Sequence, residues 1–420
     1  MVVIKRDGRE AQFDKDKIFN AVFKAFIQLK KSIEEGERCA LKIANEIEKM
    51  DKTLSVEEIQ DIVGKKLMAS SYKDVAQAYI EYRQIHKMAR NQYKELMDAV
   101  SEKLQAKNVA NQNANVDEKS FGGRIGEATD VVTKQYALDY LVSPMARANH
   151  INNEIYIHDL NAYAVGSHNC LSIPFDDLLA NGFNTRQTDV RPAQSINTAF
   201  QLTAVIFQLQ SLQQFGGASA THIDWTMVPY VRKSFYKHYK DGLTYCENED
   251  ASDYIERITK GDETPIDADC YQAISVRAYK YATDMVTKET YQAVEGMYHN
   301  LNTLQSRSGN QLPFTSINYG TCALPEGRLV TKALLDTSIK GIGKCHKTSI
   351  FPCGIFQCMK GVNRKPGEPN YDLYQLALRS TAQRLYPNYA NVDWSGNAGY
   401  DVNDPRTYFS TMGKRKLQLM

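Results

Sequence analysis

From residue 119 onward, short runs rich in β-branched and aromatic residues alternate with longer stretches of helical period. That alternation confines the region to an α/β layout with parallel strands. A parallel neighbour is reached only through a long crossover, usually a helix. Strand character marks residues 313–321, ending at Gly320, and residues 349–352 with Ile355-Phe356. Helical period marks 127–145, breaking near Ser143-Pro144, then 194–214, 223–239, 270–306, 327–339 and 371–386. Residues 242–265 are acidic and polar and read as a surface loop or insertion.

The stretch 155–183, IYIHDLNAYAVGSHNCLSIPFDDLLANGF, holds the densest chemistry. It opens on an apolar run bearing His158 and Asp159, which read as braces for a strand end. In its middle, Ser167-His168-Asn169-Cys170 sets a thiol beside an imidazole and an amide. The apolar residues 171–174 place Cys170 at a strand start or end, where α/β folds position reactive groups. A lone cysteine is more often a small buried hydrophobe. Yet a thiol S–H can release a hydrogen atom, and a neighbouring amide can orient a hydroxyl. Gly216-Gly217, in QFGGAS, lets backbone approach a ligand closely, although adjacent glycines also simply end helices.

Composition excludes several classes. A net charge of +2 gives no case for a nucleic-acid or membrane partner. No run of 18 apolar residues is present, and MVVIKRDGRE lacks a signal-peptide core. Eight cysteines without a C-x-x-C pair suit neither a disulfide scaffold nor a structural zinc site. No metal is expected within the chain, and a reducing cytoplasm fits best.

Residues 1–95 read as a separate small domain, joined by an Asn-rich polar linker at 96–118 to a domain over 119–420. Residues 2–5 form a strand, Asp7-Gly8 a hairpin turn, and Asp14 caps a helix carrying Ile18, Val22 and Phe26. A second helix near 38–50 carries Cys39, Ile43 and Ile47. Ser55-Val56-Glu57-Glu58 is a capping box opening a third, with Ile59, Val63 and Leu67 inside. A fourth starts at Asp74 with Val75, Tyr79, Tyr82 and Ile85. Lys5, Arg6, Arg9, Lys15 and Lys17 crowd the first turn. Cations beside a helix N-terminus suit a polyphosphate; a solvated charged hairpin is the plainer alternative.

VIKRDGREAQFDKDKI resembles the opening of the ATP-cone, a regulatory domain. The resemblance implies ATP and dATP as allosteric effectors, with Val3, Lys5, Arg6 and Lys17 at nucleotide-contacting positions. From about residue 121 to 413 the chain is similar to class III (anaerobic) ribonucleotide reductases. The markers are IHDL at 157–160, HNC at 168–170, NGF at 181–183, QFGG at 214–217, PFTSINYGT at 313–321, IFP at 350–352 and PNYD at 369–372. The resemblance implies a ten-stranded α/β barrel, present here in part, in a homodimer. It implies reduction of ribonucleoside triphosphates, a glycyl radical raised by a radical S-adenosylmethionine activating enzyme, and formate as reductant. Cys170 would supply a hydrogen atom as the ribose 2′-hydroxyl leaves, with Asn169 on the ribose hydroxyls and Gly216-Gly217 on a substrate loop.

The resemblance ends at Thr411-Met412-Gly413, where Lys414 stands in place of the family's radical-carrying cysteine. The glycyl-radical segment and a four-cysteine zinc site have no counterpart in the sequence. The expectation is therefore a reductase portion without turnover of its own. A half barrel would also leave an open sheet edge and an exposed apolar interior. The alternatives are a non-catalytic ATP/dATP-binding regulatory protein or another glycyl-radical enzyme, such as a lyase.

Overall fold

The computed structural model describes residues 1–50, 52–105, 116, 120–166, 170–246, 266, 274–307, 310–393, 401 and 404–407. The chain divides into two compact units, Met1–Ala99 and Val100–Met420.

In the first unit, β1 (Val2–Ile4) pairs antiparallel with β2 (Glu10–Gln12) through a turn at Gly8, whose φ of +81° suits glycine. A third strand, β3 (Leu54–Ser55), pairs parallel with β1 and was not foreseen. At two residues it is too short to leave a periodic signal. α1 (Lys15–Gln28) is capped by the Asp14 carboxylate on the Asp16 N–H. α2 (Ile33–Glu48) follows, beginning earlier than its apolar spacing suggested. The Ser55–Glu58 capping box is formed at the head of α3 (Val56–Met68). α4 runs from Lys73 to Gln105, so residues 96–105 of the expected linker are helical. Ile18, Val22, Phe26, Ile43, Ile47, Ile59, Val63, Leu67, Val75 and Tyr79 form one core. Tyr82 and Ile85, expected on the same face, are exposed. Tyr82 instead borders a cavity with Lys17, Lys24 and Gln28 of α1.

The second unit is a mixed α/β fold. Its sheet contains β4 (Leu171–Ser172), β7 (Ala218–Ala220), β8 (Thr315–Tyr319), β9 (Cys353–Cys358) and β10 (Asn388–Asn391), in that spatial order. Every pairing in it is parallel. β5 (Phe183–Asn184) and β6 (Asp189–Val190) form a separate antiparallel pair. Each strand of the main sheet lies beside the next one in the chain. Such one-way stepping, with crossovers of one hand, stacks the helices on a single face. The described residues leave β4 and β10 as edges and form no closed barrel.

Two helical expectations change. Ser143-Pro144 opens the helix Pro144–Ile151, with Ser143 as its cap and Pro144 at the first position. The preceding helix, Phe121–Tyr136, ends in a wide turn over Ala137–Leu141. The expected helix at 223–239 is two, Ile223–Thr226 and Val228–Cys246.

Candidate functional site

Two places gather the residues singled out in the sequence. The first is a cavity of about 670 Å³ in the first unit. It is lined by Val3, Lys5, Arg6 and Lys17, together with Arg9, Asp14, Gln60 and Tyr79. β1 carries Val3 inward, where it is buried, and leads into Lys5 and Arg6 at the hairpin turn. α1 brings Lys17 to the same wall. The volume lies within the range of small-molecule sites.

The cations are held in check by local carboxylates. Arg6 Nε lies 2.7 Å from Glu57 Oε1, Arg9 pairs with Asp7 at 2.6 Å, and Lys17 sits 3.2 Å from Asp14. The Lys17 ammonium holds the Asp14 carboxyl below the usual aspartate range. Lys5 enters no ion pair among the described residues. Burial pushes the Tyr79 phenol up to about 12, so it stays a neutral hydrogen-bonding group. Exposed pairs of this kind are weak and exchange readily for a better anion.

The second place is the sheet of the second unit. Ala218, Ala220, Ile317, Tyr319 and Phe356 pack into one core with Phe200, Phe207, Val294, Met297 and Leu334 from the helices. Strand alternation turns Ser172, Ser219, Ser316, Asn318 and Gln357 to the opposite face. Parallel sheets covered by helices on both sides are apolar on both. Here one face is apolar, and the other carries these hydroxyls and amides alongside Cys353, Ile355 and Ala390. The interior expected to be apolar is, at this face, partly polar. Ser219, Ser316, Asn318 and Gln357 are buried, and Asn318 Nδ2 donates to Ser219 Oγ at 3.1 Å. Ser316 Oγ, Asn318 Oδ1 and Gln357 Oε1 have no hydrogen-bond partner. Buried acceptors of that kind suit a ligand rich in hydroxyl donors.

Cys170 stands immediately before β4, level with Gly217, on this polar side. Its thiol is exposed and accepts the Gly217 N–H at 3.4 Å. Gly217 O in turn accepts the Leu171 N–H at 3.1 Å. The fold thus brings Cys170 and the Gly216-Gly217 run together from 47 residues apart. Asn169, with Ser167 and His168, lies outside the described residues, as does the stretch 411–414.

At the other end of β4 and β7 is a group the sequence reading missed. His222 Nε2 lies 2.7 Å from Asp176 Oδ2, and His222 Nδ1 lies 2.7 Å from Thr221 Oγ1. Thr226 Oγ1 donates to Asp176 Oδ1 at 2.6 Å. Burial works to raise the Asp176 carboxyl, but its bonds to His222 and Thr226 outweigh that and leave it below the usual range. No local spacing signals this group, because Asp176 and His222 are 46 residues apart. Among the described residues no three His, Cys, Asp or Glu side chains are grouped to hold a metal ion. None of the described helices is long and apolar enough to cross a membrane.

The family model for anaerobic ribonucleoside-triphosphate reductase matches residues 112–416, and that for the ATP cone domain matches residues 1–88. The anaerobic ribonucleoside-triphosphate reductase of Haemophilus influenzae is 32% identical over 396 residues, covering 93% of this chain and 52% of its own length. The Escherichia coli protein of the same name is 30% identical, covering 93% and 51%. A crystal structure of the anaerobic ribonucleotide reductase from Thermotoga maritima, in complex with dATP and CTP, aligns with a TM-score of 0.45 at 13% identity. That alignment covers 74% of this chain and 50% of the other. The chain spans about half the length of the curated relatives it matches.

Proposed function

The chain belongs to the anaerobic ribonucleoside-triphosphate reductase family, and from that premise we propose that it is a reductase portion joining a nucleotide-sensing cone to the thiol-bearing part of a catalytic barrel. The observation that carries this reading is Cys170 at the head of a parallel sheet, on the side that carries the buried, unpartnered Ser316, Asn318 and Gln357 oxygens.

In the cone, ATP or dATP binds with its phosphates on Lys5, Arg6 and Lys17, and Val3 packs beneath. In the second unit, the substrate is a ribonucleoside triphosphate, with its sugar over the polar sheet face. A glycyl radical, raised by a radical S-adenosylmethionine activating enzyme, would be passed to a cysteine whose thiyl takes the ribose 3′ hydrogen. Cys170 gives the hydrogen atom of its S–H as the 2′-hydroxyl leaves as water. Formate returns the electrons and becomes carbon dioxide. Asn169 orients the ribose hydroxyls, and Gly216-Gly217 lets backbone come close. The radical and the zinc site are assigned no residue here. The working assembly is a homodimer in the cytoplasm.

Two measurements test this. Calorimetry with ATP and dATP is expected to show binding that weakens about tenfold or more in Lys5→Ala and Arg6→Ala. Unchanged affinity would remove the phosphate assignment. For turnover, the chain is combined anaerobically with the remaining segment of a relative, the activating enzyme, S-adenosylmethionine and formate. Deoxyribonucleotide is expected with Cys170 and not with Cys170→Ala. Nucleotide binding without any deoxyribonucleotide would favour the second reading, a non-catalytic ATP/dATP-binding regulator. The cone cavity within its own compact unit supports that alternative.

A further inference from the structure

We propose that Arg307 is a positioning residue for the Cys170 thiol, acting through the loop 214–217; this rests on the reading of Cys170 given above. The Arg307 guanidinium lies between two rings, 4.6 Å from the centroid of Phe215 and 3.9 Å from that of Phe314. Its Nε donates to the Phe215 carbonyl oxygen at 3.0 Å, and Nη2 donates to the same oxygen at 2.5 Å. Nη1 donates to Gln311 Oε1. Phe215 is the residue that leads into Gly216-Gly217.

The loop is tied on its other sides as well. Gln214 Nε2 donates to the carbonyl oxygens of Gly216, at 3.2 Å, and Gly217, at 2.9 Å. Ala218 N donates to Phe314 O at 2.8 Å. The backbone before the glycines is fixed by the arginine, and the backbone after them by the residue whose ring the arginine stacks on. Between these anchors the Gly217 N–H is aimed at Cys170 Sγ, 3.4 Å away.

The chemistry of the side chain explains the choice. Arg307 is only 6% exposed, and burying a charge is costly unless it is matched. Burial works against its charge, while the carboxylates of Asp159 and Asp130 favour it. Asp159 comes from the IHDL run and holds a left-handed φ of +57°. The guanidinium that holds the QFGG segment thus lies in the field of a carboxylate from the IHDL run. An aliphatic residue would fill the space and leave the Phe215 oxygen without this donor. A lysine would keep the charge but lose the planar fork.

The test reads the contact and not turnover. Amide exchange at Gly217 is followed in the full chain with ¹⁵N-labelled glycine, the resonance being assigned through Cys170→Ala. Loss of a hydrogen bond of ordinary strength speeds exchange about fivefold. Arg307→Ala and Cys170→Ala are each expected to do so, and the double variant is expected to be no faster than the faster single one. Arg307→Lys keeps the charge but loses the planar fork, so it is expected to speed exchange about twofold, and it covers the case in which Arg307→Ala fails to fold. A folded Arg307→Ala with Gly217 exchange unchanged overturns the proposal. So does a double variant whose effects multiply, or Arg307→Lys matching the wild type when alanine does not fold. Turnover that survives Cys170→Ala would sink the reading of Cys170 and leave this readout untouched.

Discussion

Asp224 and Cys322 are 98 residues apart in the chain, yet the buried carboxylate of the first accepts the backbone N–H of the second at 2.9 Å. The same oxygen accepts the Gly320 N–H at 2.8 Å, and the other accepts that of Trp225 at 3.1 Å. One side chain thus closes the turn that follows β8, where Gly320 has a φ of +120°.

Asp224→Ala leaves those donors buried without an acceptor. It is expected to cost about 3 kcal/mol in urea unfolding. Burial raises the Asp224 carboxyl, against backbone bonds that pull it down. A raised value in the folded state contributes stability below the ordinary aspartate range, and that stability is lost as pH rises through the folded value. The stability of wild type relative to Asp224→Asn should therefore decline with rising pH. A constant difference across that range would count against it.

Gly327 stands where no side chain fits. A Cβ there would lie 2.3 Å from Cys322 Sγ and 2.6 Å from Cys322 Cβ. Gly327→Ala is expected to destabilise by about 2 kcal/mol or more. Cys322→Ala should give only partial relief, because its Cβ remains 2.6 Å away, and Cys322→Gly should give more. Denaturation midpoints of the paired variants decide it.

In the cone, Glu57 competes for Arg6. Glu57→Gln frees the guanidinium and is expected to tighten ATP binding by up to about fivefold. Weaker binding in calorimetry would mean that Glu57 orients Arg6 for the nucleotide.

Asp176 has the opposite sign from Asp224. Its folded value is depressed, so its contribution is present above the ordinary aspartate value and is lost as pH falls through the folded one. The stability advantage of wild type over Asp176→Asn should shrink as pH falls below the ordinary aspartate range. An advantage that grows there would refute the assignment.

Legibility in the sequence followed the range of the interaction. The Asp14 cap and the Ser55–Glu58 box are local and were readable, as was the strand at 315–319. β3 and β10 were missed, because short strands are specified by the neighbours they join. Cys170 was visible as a thiol at a strand end, but its partner Gly217 arises from parallel pairing across 47 residues. Arg307 and His222 were missed for the same reason. Neither belongs to a spacing pattern, and both draw their meaning from contacts with distant segments.

The one-way order of the main sheet has a consequence for the thiol. β4 comes first in the chain and stays on the rim, with β7 on one flank only. Further strand–helix steps would enlarge such a sheet at the far rim without disturbing the early ones, until curvature carried the newest strand round to β4. Cys170, exposed beside that rim, therefore lies where a strand added at the open edge would meet it.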